Sequence, residues 1–117
     1  MKRVLVVDDE FGLLEALGDV LAESGYAVST ARNGRDALKR LSEARPDLML
    51  VDYMMPVMDG PAFIKAVQQL DGLGDVPVVM MTAVKAANLP KDLGVVSVLQ
   101  KPFSIDTLLG VIKQYVG

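Results

Sequence analysis

Five short, mostly apolar runs recur along the chain: Arg3–Val7 (RVLVV), Tyr26–Thr30 (YAVST), Leu48–Val51 (LMLV), Val76–Met81 (VPVVMM) and Val95–Leu99 (VVSVL). Three are continuously apolar, which is the pattern of strands covered on both faces. Stretches of helical spacing lie between and after them. Leu14, Leu17 and Leu21 form one; Ala37, Leu38 and Leu41 follow an N-cap candidate at Asn33; Phe63, Ile64 and Val67 follow Pro61, which suits a first helical turn. A last helix behind Ser104, with Asp106 in its first turn, is predicted to bury Ile105, Leu108, Leu109, Ile112 and Val116 and to reach the chain end at Tyr115 to Gly117. Strands alternating with helices in this way imply an α/β, doubly wound (βα)5 domain. It should span residues 1–117 and have a five-stranded parallel sheet, right-handed crossovers and helices on both faces.

Composition narrows the chemistry. The chain has no Cys and no His, so disulfides, thiolate or imidazole metal sites, Cys or Ser-His nucleophiles and phosphohistidine on this chain are all excluded. Any metal must be held by oxygen. A net charge of -3 without a dense Lys/Arg run argues against direct nucleic-acid binding and favours a protein or a cation as partner. No apolar run approaches the roughly 18 residues of a membrane span. The start, MKRVLVVDDE, lacks a signal peptide's apolar core, so no membrane partner and a cytoplasmic location are the expectation.

In an open parallel sheet, ligands bind beyond the carboxyl ends of the strands. Asp8, Asp9 and Glu10 follow the first run, Asp52 the third, Thr82 the fourth, and Lys101 with Pro102 the fifth. Each residue alone has an ordinary use as a helix cap, a turn former or a solvated charge. Together, on strand ends that fall side by side, Asp8, Asp9, Asp52, Thr82 and Lys101 line one pocket with three carboxylates, a hydroxyl and an ammonium. Two like charges 4 Å apart repel by about 4 kcal/mol at an effective dielectric of 20, more than one lysine can neutralise for three acids. A hard dication such as Mg²⁺ (or Mn²⁺) can, and the resulting pocket complements a phosphoryl group.

The segments VLVVDDE, DYMMPVMDG, MTA and KPF occur in an order and spacing that resemble the receiver domain of two-component response regulators. The resemblance covers essentially the whole chain and implies strand order 2-1-3-4-5. It implies that Asp52 is the phosphoacceptor and that Asp9 binds the metal directly. Asp8 would act largely through water, with Asp52 and the backbone carbonyl of Met54 completing the ligands. Thr82 and Lys101 would contact the phosphoryl group, and the Lys101–Pro102 peptide would be cis. The donor would be a sensor histidine kinase or a histidine phosphotransfer protein. The chain would be a signalling protein, not an enzyme beyond its own phosphorylation and dephosphorylation. A domain that ends here without an output domain would act on an unknown downstream protein.

Three features depart from that pattern. Val98 stands where the family usually has an aromatic switch residue. Pro90 falls within KAANLPKDLG, so the fourth helix should be short or distorted, from Asn88 or Leu89 to no later than Gly94, with a remodelled output face. Met54 and Val84 are apolar where polar side chains could orient an attacking water, which predicts a long-lived phosphate on Asp52. Two alternatives follow: a receiver-like interaction module not switched by phosphate, or a small Mg-dependent aspartyl phosphohydrolase. Against the phosphohydrolase, the acids after the first strand are adjacent and not spaced D-x-D. No P-loop or G-x-G-x-x-G follows that strand to support nucleotide binding.

Overall fold

Because successive side chains of a strand point to opposite faces, each strand feeds two cores. On β1 (Arg3–Val7), β3 (Leu48–Asp52) and β4 (Val78–Thr82), the residues Leu5, Val7, Met49, Val51, Val78 and Met80 face one layer. There they meet Ala37 and Leu41 of α2 (Gly34–Glu43) and Phe63, Ile64 and Val67 of α3 (Gly60–Gln68). The alternate set, Val4, Val6, Leu48, Leu50, Val79 and Met81, meets Leu14, Leu17 and Leu21 of α1 (Phe11–Glu23) and Leu108 and Ile112 of α4 (Ile105–Val116). With β2 (Ala27–Ala31) and β5 (Ser97–Gln100) as edges, the sheet is wholly parallel in the order β2-β1-β3-β4-β5. A doubly wound sheet of five strands is thus observed, as the sequence pattern implied. The computed structural model describes residues 1–116; Gly117, at the end of the expected last helix and domain, lies outside them.

Helix starts follow their capping residues. Asn33 Oδ1 accepts from the Asp36 amide at 2.8 Å and Asp59 Oδ1 from the Ala62 amide at 2.9 Å. Ser104 Oγ accepts from the Thr107 amide at 3.1 Å. Ile105 is a correction: it is 53% exposed, not buried. It opens α4 past the carboxyl ends of the strands, and contact with the sheet begins at Leu108, which is fully buried. The strand edges shift as well. Val76 is taken up in a turn through its amide to the Leu73 carbonyl at 3.2 Å, so β4 starts after Pro77.

The fourth connection is the largest departure. It holds one turn of 3-10 helix, Ala86–Asn88, so the turn ends near where the short helix was expected to begin, and no α-helix forms from Asn88 to Gly94. Pro90 offers no amide to a helical ladder, and Gly94 takes a left-handed φ of 75°. Leu89 and Leu93 are too few to give so short a segment an apolar face.

Gly60 fixes how closely α3 approaches the end of β3. A Cβ there would lie 2.5 Å from the Asp52 carbonyl oxygen and 3.1 Å from the Tyr53 Cα, both backbone atoms. Gly60→Ala is therefore expected to lose about 1–3 kcal/mol in urea unfolding, the usual scale of overpacking. A variant as stable as wild type would show that the approach is not tight.

Candidate functional site

The pocket is assembled from strand ends. The Asp8 amide donates to the Ala31 carbonyl at 3.1 Å, which carries the β1–β2 ladder one residue beyond β1 and leaves Asp8 fully buried. Asp8 Oδ1 accepts from the Glu10 amide at 2.9 Å, and its Oδ2 accepts from Lys101 Nζ at 2.8 Å. Asp52, the last residue of β3, is 7% exposed, with Oδ1 3.5 Å from the same Lys101 Nζ. Asp9 is exposed at the rim. Asp8, Asp9 and Asp52 each present one oxygen, all within 4.8 Å of one another. At about 5 Å and an effective dielectric of 20, each pair of charges repels by about 3 kcal/mol. The donor set is all oxygen and anionic, which fits a hard dication.

Charge in the pocket is unevenly balanced. Burial pushes Asp52 up to about 6; the charges of Asp8 and Asp9 add to this, and Lys101 opposes it. Burial works against the charge on Lys101, but its hydrogen bond to Asp8 and the fields of Asp8 and Asp52 outweigh that and hold its pKa above the ordinary lysine value.

Thr82 ends β4, is almost fully buried, and pairs in register with Gln100 at the end of β5. Its Oγ1 accepts from the Val84 amide at 2.9 Å, and its carbonyl accepts from the Lys101 amide at 2.7 Å. The Lys101–Pro102 peptide is cis. Asp8, Asp9, Asp52, Thr82 and Lys101 therefore stand on one edge of the sheet, as the order of the strands requires. Val98 lies back from that edge, half-buried, where with Leu89, Leu93 and Val95 it lines a cavity of about 180 Å³.

The loop after Asp52 is tightly turned. Met54 is 66% exposed, whereas Met55 is buried. The Met58 amide donates to the Pro56 carbonyl at 2.8 Å across Val57, which has a φ of 71°. This three-residue turn is strained, and more so for a β-branched side chain. The Gly60 amide closes the loop onto the Tyr53 carbonyl at 3.1 Å. Sequence reading passed over Gln100, whose side-chain amide donates to the Thr82 carbonyl at 3.3 Å and to the Val84 carbonyl. The available signal was a polar residue closing an edge strand beside Lys101.

Residues 4–113 match the family model described as the response regulator receiver domain. The chain is 34% identical over 117 residues to the sporulation initiation phosphotransferase F of Bacillus subtilis, covering 97% of this chain and 93% of that protein. Among solved structures, the chemotaxis response regulator CheY4 of Vibrio cholerae superposes with a TM-score of 0.92 at 35% identity, covering 98% of both chains. The response regulator TrrA of Thermotoga maritima, solved in complex with Mg(2+)-BeF, gives 0.86 at 32% identity over 98% of this chain and 99% of that one. Other relatives are transcriptional regulators, and this chain spans 48% of their length.

The raised Asp52 pKa has a consequence for stability. The folded protein holds that proton up to about pH 6, while the unfolded chain releases it near 3.8, so stability falls as pH rises between the two values. At pH 7.5 without divalent cation, Asp52→Asn should be more stable than wild type by about 1–2 kcal/mol, after allowing for screening by solvent. The gain should fade towards pH 4. Urea unfolding at the two pH values measures it, and a variant no more stable than wild type at pH 7.5 contradicts the crowding of charge.

Proposed function

The chain belongs to the response regulator receiver domain family, and on that premise we propose that Asp52 accepts a phosphoryl group from a phosphohistidine on a partner protein, in a Mg²⁺-dependent reaction. The observation that carries this reading is the convergence of Asp8, Asp9, Asp52 and Lys101, with one ammonium among three carboxylates. As the donor's N–P bond breaks, an Asp52 Oδ forms the new O–P bond and the leaving imidazole keeps its nitrogen electron pair. Only the ionised carboxylate attacks, and with a pKa of about 6 Asp52 is largely ionised at neutral pH. Lys101 Nζ, 3.5 Å from Asp52 Oδ1, offsets charge on the phosphoryl oxygens, and the Thr82 hydroxyl donates to one of them.

Asp9 and Asp52 would hold the cation directly, with Asp8 through water and the Met54 backbone carbonyl as a further ligand. Mg²⁺ or Mn²⁺ at that place supplies neutralisation of the carboxylates and a contact for a phosphoryl oxygen. The Thermotoga neighbour, solved with Mg(2+)-BeF, supports the choice of metal. A sensor histidine kinase or a histidine phosphotransfer protein is the donor, and the signal leaves as phosphorylation-dependent binding of another protein. The net charge of -3 supports a protein, and not nucleic acid, as the partner of these residues. No helix among the described residues is long and apolar enough to cross a membrane.

A second reading, a receiver-like module that phosphate does not switch, is favoured by Val98 and by the reduction of the fourth helix to one 3-10 turn. Both changes lie away from the acidic pocket, which is why phosphoryl acceptance is the reading preferred here. The experiment is intact mass after incubation with phosphoramidate and Mg²⁺, followed over time after the donor is removed. One added phosphoryl group is expected on wild type and none on Asp52→Asn. The adduct should decay slowly, because exposed Met54 and half-buried Val84 offer no polar group to orient water. No adduct from any donor would favour the unswitched module; an adduct lost within seconds would overturn the slow decay alone.

A further inference from the structure

We propose that Gln100 is a positioning residue for the phosphoryl site, acting on Thr82 through the backbone of Val84; this rests on the phosphoryl-accepting reading of the pocket. Its Nε2 donates to the Thr82 carbonyl at 3.3 Å and to the Val84 carbonyl. The Val84 amide donates in turn to Thr82 Oγ1 at 2.9 Å. A threonine hydroxyl has one proton and two acceptor positions. Once the Val84 amide fills one acceptor position, the directions left for the O–H proton are fewer, and a phosphoryl oxygen on Asp52 meets an oriented donor. Gln100 holds the next peptide, through the Val84 carbonyl, and so restrains the residue whose amide does this.

The local architecture explains why a side chain has this role. Gln100 and Val98 are two residues apart on β5 and so point to the same face, towards the segment that follows Thr82. On that face Val98 provides no polar group, and the following segment holds only the 3-10 turn Ala86–Asn88. The Thr82 carbonyl is tied to the Lys101 backbone amide, but the Val84 carbonyl is tied to β5 through the Gln100 side-chain Nε2. Gln100 is itself exposed, so it adds little to global stability and its variants will fold. What it fixes is the path of the two residues after Thr82.

Reversing the polarity of the side chain tests this without changing its shape. Gln100→Glu is nearly isosteric, but its carboxylate can only accept and would face two carbonyl oxygens; Gln100→Arg is longer but keeps a donor. In the full chain with Mg²⁺, Gln100→Glu should lose about tenfold in protection of the Val84 amide from hydrogen exchange. It should also take phosphoryl from phosphoramidate about three- to tenfold more slowly, the scale of one oriented hydrogen bond. Gln100→Arg should keep both near wild type, and thermal midpoints should not separate the three proteins. A side chain that merely fills the loop would leave Val84 exchange at its wild-type value in Gln100→Glu, whatever the added charge beside Lys101 does to the rate. Wild-type values for Gln100→Glu in both measurements would overturn the proposal. If wild type takes up no phosphoryl group, the proposed function fails, and Val84 exchange alone decides the inference: unchanged protection overturns it and lost protection sustains it.

Discussion

The pocket at the carboxyl edge of the sheet holds more negative charge than its one lysine can balance. Asp8 is fully buried and takes the Lys101 ammonium at 2.8 Å, which leaves Asp52 with a longer contact of 3.5 Å to the same nitrogen. The carboxylate at the end of the central apolar strand is therefore the one left short of a partner, and its pKa rises to about 6. A protein selected only for stability would place an amide or an apolar residue there. Retaining the carboxylate makes sense where positive charge from outside, as the proposed cation would supply, completes the site.

Much of the surrounding structure serves to hold that unbalanced charge in place. The two apolar layers fix β1, β3 and β4 relative to one another, which sets the separation of Asp8 and Asp52. Gly60 lets α3 approach the Asp52 carbonyl, and the strained turn at Val57 brings the chain back for that contact. At 72% exposure Val57 gains nothing from burial, so the contacts just after it hold the turn. One is the Met58 carbonyl, which accepts from the Gly34 amide at 3.4 Å; the other is the Asp59 cap.

Most of the fold and the acidic pocket were legible in the sequence, because both follow from period and position. Continuously apolar runs such as LMLV belong to strands covered on two sides, and a parallel sheet gathers their following residues at one edge. Asn33 and Ser104 announced helix starts for the same local reason that they cap them. Ile105 misled because its spacing fits the buried face of its helix, whereas its height above the strands depends on where β5 stops. The fourth connection was read only halfway: Pro90 signalled disruption, but loss of the whole helix depended on how little apolar surface Leu89 and Leu93 could bury. Gln100 left almost no trace, since its role depends on which carbonyls lie across a strand end, and that is a matter of register.

Val98 and the reduced fourth connection lie on the side of β5 and the segment before it, whereas the acids and Lys101 keep their places. In the proposed function, phosphoryl acceptance and signal output are therefore separable, and the central claim concerns the first. Carboxyl-carbon NMR titration of Asp52, with and without Mg²⁺, tests it most directly. The account predicts titration near 6 in metal-free protein, and a fall of well over one pH unit when Mg²⁺ is added. The fall should be lost in Asp9→Ala. A midpoint near 3.8 without metal, or one that Mg²⁺ leaves in place, would contradict it.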